Sequence, residues 1–243
     1  MTGTKANIIA QLKRDILPLQ GFKTSPENNL VDTALGPIKN VFPNTSFPLA
    51  AIHEFISIGK EEAAASSGFV AAIIAALMKD GGATIWISSS RAIFPPALKS
   101  FGIAPERIIF INLKKEKEIC WAMEEALKCK GLSAVIGEIP ELSFTTSRRL
   151  QLAVEQSKVT GFILRNNPKS INTTACVTRW KITHLPSRLA EGMPGVGHSC
   201  WNVALLKVRN GYPANWDIEL FAGRMKPIVD IQALELLRQR KAV

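Results

Sequence analysis

The sequence predicts an α/β protein built on a mostly parallel sheet flanked by helices, with an antiparallel extension toward its C-terminus. Three observations lead there. Strand-like and helix-like patterns alternate from residue 53 to residue 165, as right-handed βαβ crossovers require. From residue 176 onward the pattern becomes consecutive alternating strands, which suits antiparallel pairing. Finally, 47% of the 243 residues are hydrophobic, enough to fill one large domain or two small ones.

Residues 5–17 carry Ile8, Ile9, Leu12 and Ile16 at helical spacing, with Lys13, Arg14 and Asp15 off that stripe. This predicts a short amphipathic helix, which with its linker makes an N-terminal segment over residues 1–28. The stretch from Gly21 to Leu49 is rich in Pro, Asn and Ser and reads as a connecting region. A core domain is expected over residues 29–222. Within it, strands are predicted at His53–Ile58, Ala83–Ser88, Arg107–Leu113, Ala134–Ile139 and Gly161–Arg165. Helices are predicted between them at Gly68–Lys79, Pro96–Phe101, Glu116–Lys128 and Ser147–Lys158. Three further strands follow at Cys176–Leu185, Cys200–Val208 and Trp216–Phe221. The remaining residues, 223–243, place Ile231, Leu234 and Leu237 three apart and end in Arg238, Arg240 and Lys241, cations that suit a helix C-terminus. This tail helix has two readings, a helix docked on its own domain or a partner-binding segment laid into a groove.

Composition excludes several classes. The longest apolar run, Phe69 to Met78, is well short of the roughly 20 residues a bilayer crossing needs, so no membrane helix is expected. The N-terminus is interrupted by Lys13, Arg14 and Asp15 before a signal-like stretch develops, which makes a cytoplasmic location the expectation. Cys120, Cys129, Cys176 and Cys200 show no C-x-x-C spacing, and His53, His184 and His198 are dispersed, so neither a metal site nor a disulfide framework is expected. A net charge of +10 and a pI near 9.6 favour anionic partners, nucleic acid or an acidic protein surface. The tryptophans Trp86, Trp180, Trp201 and Trp216 lie in strand patterns and are expected in the core, as is Trp121 on its helix.

Residues 51–77 read strand, loop, helix, where a nucleotide-binding loop would stand. A P-loop needs G-x-x-x-x-G-K-[ST]: backbone N–H groups wrap the phosphates, the lysine neutralises them and the hydroxyl holds magnesium. In one frame Ala63 stands at the first glycine, Gly68 at the second, Phe69 at the lysine and Val70 at the hydroxyl. In the other, Gly59 and Lys60 are followed by Glu61, and Glu54 occupies the first glycine. Ser66, Ser67 and Gly68 then have two readings: N–H donors to a phosphate at a helix N-terminus, or small residues that allow a tight strand-to-helix turn.

The order of elements resembles the RecA ATPase core across roughly residues 30–222, beginning with VDTALG at 31–36 and FPLAAIHEF at 47–55. More specifically, the chain resembles the ImuA family. That likeness is carried by CWAMEEALKCKGLSAVIGE from Cys120 to Glu138, SRRLQLAVEQSKVTGFILR from Ser147 to Arg165, TRWKI from Thr178 to Ile182, and NGYPANWDIE from Asn210 to Glu219. The resemblance implies a RecA-like core with a degenerate P-loop, and a role in damage-induced, SOS-type error-prone translesion synthesis. Its implied partners are an ImuB-like Y-family polymerase homologue and an error-prone replicative-type DNA polymerase, with RecA and single-stranded DNA as further candidates and no membrane. Against RecA catalysis, Ser89 and Ser90 stand where the catalytic glutamate would follow its strand, and neither can act as a carboxylate base. Glu138 falls near the acidic metal-binding position. The expectation is therefore a non-catalytic adaptor without a cofactor; the alternatives are a DNA-dependent ATPase with an atypical site and a SulA-like cell-division inhibitor. Arg148, Arg149, Arg165, Lys169 and Arg179 are the candidate DNA contacts. Ile231, Leu234, Leu237, Arg238 and Arg240 are the candidate partner contacts.

Overall fold

A computed structural model describes residues 12, 29–90, 93–187, 195 and 197–228. Its centre is a nine-stranded sheet with strands in the order β3-β2-β4-β5-β1-β6-β7-β8-β9. In chain order these are β1 (Ile52–Ser57), β2 (Ala83–Ser88), β3 (Ile108–Asn112), β4 (Leu132–Glu138), β5 (Thr160–Asn166), β6 (Thr178–Leu185), β7 (Cys200–Val208), β8 (Ala214–Phe221) and β9 (Arg224–Pro227). Strands β1 to β6 pair in parallel, with β1 held between β5 and β6. The sheet changes direction at β6, which is parallel to β1 and antiparallel to β7, and the antiparallel run continues through β8 to β9. The strands predicted from alternation are all present. The last one, β9, is an addition too short for sequence periodicity to expose.

Among the described residues four helices flank the sheet: α1 (Asn29–Leu35), α2 (Gly59–Leu77), α3 (Glu116–Leu127) and α4 (Phe144–Ser157). On one face α1 and α2 join β1, β5, β6 and β7 in a core holding Leu35, Phe55, Phe69, Ile73, Phe162, Trp180 and Trp201. On the other, Ile119, Met123 and Leu127 of α3 pack with Leu150 and Val154 of α4 against Ile52, Val135 and Ile163. Over Gly59–Asp80, α2 and its continuation are long and apolar enough to cross a membrane by length and composition, but that apolar surface faces the sheet core.

Several expectations need correction. The stretch read as a connector contains α1 and two 3₁₀ turns, and Val31, Leu35, Ile38, Phe42 and Phe47 enter the core. Asp32 accepts a hydrogen bond from the Phe47 amide at 2.8 Å, closing this segment on itself. Helix α2 begins at Gly59, well before Gly68, because the run from Lys60 to Ala65 is made of strong helix formers. Helix α4 begins at Phe144 because Ser143 caps it, its hydroxyl accepting from the Thr146 amide at 3.0 Å. The helix predicted at Pro96–Phe101 is a 3₁₀ helix over Pro95–Phe101. Trp86, Trp180 and Trp201 are buried, but Trp121 is 65% exposed because Ile119, Met123, Ala126 and Leu127 take the buried stripe of α3. The N-terminal helix over residues 5–17 and the tail contacts Ile231, Leu234, Leu237, Arg238 and Arg240 lie outside the described residues, Leu12 apart.

Candidate functional site

In open α/β sheets ligands bind at the carboxyl ends of the parallel strands. Here that edge is formed by Ser57 of β1, Glu138 of β4 and Asn166 of β5. At its centre only Ile58 separates β1 from α2, and Gly59 opens the helix at a φ of +80°, which favours glycine. A phosphate-wrapping loop has no residues left from which to be built.

Two amides at this helix N-terminus are engaged. The Gly59 amide donates to Asn167 Oδ1 at 2.7 Å and the Ile58 amide to Glu62 Oε2 at 2.7 Å. Asn167 is positioned in turn by its own amide, which donates to the Ser57 carbonyl at 2.8 Å. Lys181 pairs with the other Glu62 oxygen at 3.1 Å. An incoming phosphate would therefore meet a carboxylate first, where the helix dipole favours an anion.

Residues picked out by the P-loop reading lie deeper. Ser66, Ser67 and Gly68 are inside α2 rather than at its start, so their amides bond to carbonyls four residues back. The fully buried Ser66 hydroxyl meets that of Ser57 at 2.8 Å, and the Ser67 hydroxyl donates to the Ala63 carbonyl at 2.9 Å. Gly68 is where the helix passes the aromatic core: a Cβ there would come within 3.2 Å of Trp201 and 3.4 Å of Phe101. Phe69 and Val70 are fully buried, Phe69 lying against Phe55, Trp180 and Trp201 at centroid distances of 6.0, 5.7 and 6.1 Å. The frame that puts Phe69 at a P-loop lysine thus falls in the helix interior; the residues at the strand-to-helix junction are Gly59, exposed Lys60 and Glu61.

Glu138 ends β4 and is buried, accepting from Trp86 Nε1 at 3.3 Å. Burial raises its pKa, partly offset by that bond. Ser89 and Ser90 are exposed just after β2, with the Ser88 hydroxyl donating to the Ser90 carbonyl at 2.6 Å. Among the described residues no group of three or more His, Cys, Asp or Glu side chains is placed to hold a metal ion.

The candidate DNA contacts separate into two kinds. Arg148 and Arg149 lie exposed on α4, paired with Glu155 at 3.7 Å and Glu124 at 2.6 Å, and Lys169 is exposed. Arg165, by contrast, is fully buried: it pairs with Glu54 at 3.2 Å and donates to the carbonyls of Pro140 at 3.1 Å and Ser170 at 2.8 Å. That occupies Arg165 structurally and removes it as a DNA contact. Arg179 pairs with the other Glu54 oxygen at 2.9 Å and donates to the Asn172 carbonyl at 2.6 Å, while the Thr174 hydroxyl also donates to Glu54. Together these bonds pin the loop between β5 and β6. Sequence reasoning missed this network, although a glutamate in the middle of the apolar strand IHEFIS was its signal: a charge buried there needs a partner.

No protein-family model matches the chain. Over 194 residues it is 30% identical to Protein ImuA of Caulobacter vibrioides, covering 75% of this chain and 80% of that protein. The chain belongs to the ImuA family. Its fold is RecA-like: a KaiC-like protein from Pyrococcus horikoshii superposes with a TM-score of 0.53 at 11% identity, covering 81% of this chain and 97% of the other. Similarity of this ImuA-family chain to the cell division inhibitor SulA of Photorhabdus laumondii is 30% over 95 residues, 39% of this chain and 54% of that one.

Proposed function

We propose that this chain is a non-catalytic RecA-like adaptor in damage-induced, error-prone translesion DNA synthesis. It works in the cytoplasm with an ImuB-like Y-family polymerase homologue and an error-prone replicative-type polymerase. The observation that carries the reading is the junction of β1 and α2, where one residue separates strand from helix and Glu62 and Asn167 accept from the Ile58 and Gly59 amides. Removing one preorganised donor from an anionic transition state costs about 10²- to 10³-fold in rate. With the Ile58 and Gly59 amides engaged and a carboxylate at the helix start, the reading expects no useful turnover. Membership of the ImuA family supports the DNA-damage role, and the partial SulA similarity gives a division inhibitor less support.

The test is co-purification of the full-length chain with the ImuB-like polymerase homologue from the same genome, beside a truncation lacking residues 227–243. A stable complex with the full chain, and ATP turnover at background with or without single-stranded DNA, is the expected result. Absence of any complex together with turnover stimulated by single-stranded DNA would overturn the adaptor reading in favour of an ATPase.

A further inference from the structure

The sheet ends in two edges that are finished differently. At one, β9 carries the exposed cations Arg224 and Lys226 and stops at Pro227. Chain is also laid against it: Gly36 lies so close to Met225 that a Cβ there would stand 2.2 Å from its carbonyl oxygen. Charge, proline and cover are devices that keep an edge strand from pairing with another chain. At the other edge, the five residues of β3 are IIFIN, without charge or proline. Among the described residues no strand pairs with its outer side, and Ile109 is 51% and Phe110 40% exposed.

This open edge has a defined register. The Leu113 amide donates to the Ser88 carbonyl at 3.0 Å, so Leu113 turns its backbone groups toward β2. Direction alternates along a strand, so Ile109 and Ile111 also face β2, while Ile108, Phe110 and Asn112 point their N–H and C=O groups away from the sheet. That spacing is self-complementary about Phe110. With a second copy running antiparallel, Phe110 meets its counterpart in a hydrogen-bonded pair and Ile108 meets Asn112 on either side, giving about six backbone hydrogen bonds.

Side chains and charges agree with that register. The two Phe110 rings stand opposite each other on one face, and Ile109 meets Ile111 of the second copy on the other, both favourable cross-strand pairs. Beyond the strand the same pairing sets Glu106 beside Lys114 of the second copy, on both sides of the two-fold axis. Glu106 and Lys114 are exposed, and neither makes an ion pair among the described residues. Arg107 is turned back onto the Gly82 carbonyl, with Nε at 3.1 Å and Nη2 at 2.5 Å, which keeps its charge off the edge.

We propose that the chain forms a two-fold dimer by antiparallel pairing of β3 with β3 of a second copy, giving one continuous sheet across the pair. Such an interface uses the same patch on both copies and closes at two. The dimer goes beyond the adaptor reading and is measured with no polymerase present, so either can fail alone.

Sedimentation equilibrium of the full-length chain over a range of concentrations tests it. The mass should rise from 26.6 kDa to twice that value and stop there. Asn112→Pro removes an outward N–H that β2 does not use, a change edge strands tolerate, and should leave the chain monomeric with its thermal transition unchanged. Glu106→Lys and Lys114→Glu should each weaken the dimer roughly tenfold, and the double variant should restore it. If Asn112→Pro lowers the thermal transition, these exposed charge variants decide alone. A wild-type mass that stays at one chain, or continues past two, would overturn the proposal. So would a dimer that survives both charge reversals, or reversals whose combination fails to restore affinity.

Discussion

Two carboxylates are buried in the parallel half of the sheet, and they live under opposite conditions. Glu54, in the middle of β1, receives Arg165, Arg179 and the Thr174 hydroxyl, and through them anchors the loop between β5 and β6. Glu138, at the end of β4, has among the described residues only the Trp86 indole at 3.3 Å, and burial raises its pKa. Charge at the centre of the sheet is thus fully compensated and structural. At the edge, at the carboxyl ends of the parallel strands, it is weakly compensated. The sheet thus holds one buried carboxylate that organises a loop and one that burial leaves weakly satisfied.

The largest way to break this comparison is Glu54→Leu, which leaves Arg165 buried without its counter-charge. Removal of one partner from a buried pair costs about 3–5 kcal/mol, and urea unfolding should register a loss of that order. A loss below about 1 kcal/mol would mean that the arginines rely on backbone carbonyls rather than on Glu54.

His53, the neighbour of Glu54 on the opposite face of β1, sharpens the comparison through pH. It is stacked between Phe47 and Phe162 and hydrogen-bonded to Thr178 and the Pro48 carbonyl. Burial lowers its pKa from 6.5 to about 3, the Pro48 bond opposing in part. Between those values the unfolded chain binds a proton that the native state refuses, so the stability tied to neutral His53 is full above pH 6.5 and is lost as pH falls toward 3. From pH 7 to pH 5 the expected loss is about 2 kcal/mol. Urea titrations at the two pH values check it, and His53→Gln should flatten the dependence by about one proton.

Glu138→Gln should be a smaller change of the other sign. A raised carboxyl pKa means that the charged form is penalised in the fold, so stability from this group grows as pH falls through the folded value. At pH 7 the neutral amide should stabilise, by less than the Glu54→Leu loss, with the Trp86 bond retained. Destabilisation in the same urea assay would mean that the charge serves a purpose at the sheet edge. Smallest of all, Arg149→Ala should change stability by less than about 0.5 kcal/mol in thermal unfolding, since its pair with Glu124 is solvent-screened.

Most of the strand framework could be read from alternation, because side chains of a strand change face every residue whatever lies beside them. Cys200–Val208 and Ala83–Ser88 match their predicted spans residue for residue. The site was less legible. Ser66, Ser67 and Gly68 have the composition of a turn, yet the helix-forming run before them draws α2 back to Gly59 and places them in its interior. Arg165 and Arg179 have the composition of DNA contacts, and Arg165 is wholly consumed by Glu54 and loop carbonyls.

By itself the sequence determined the α/β class, the change from parallel to antiparallel strands, the absence of a P-loop signature and the family resemblance, all of which rest on local pattern or residue order. Only the tertiary structure decided that Asn167 reaches the Gly59 amide at the helix start, that Glu54 holds two arginines, and that Arg179 faces Lys207. Glu54 meets its arginines across 111 and 125 residues of chain, and Gly59 meets Asn167 across 108. Contacts at such separation are set by strand order and register, which no local window of sequence contains.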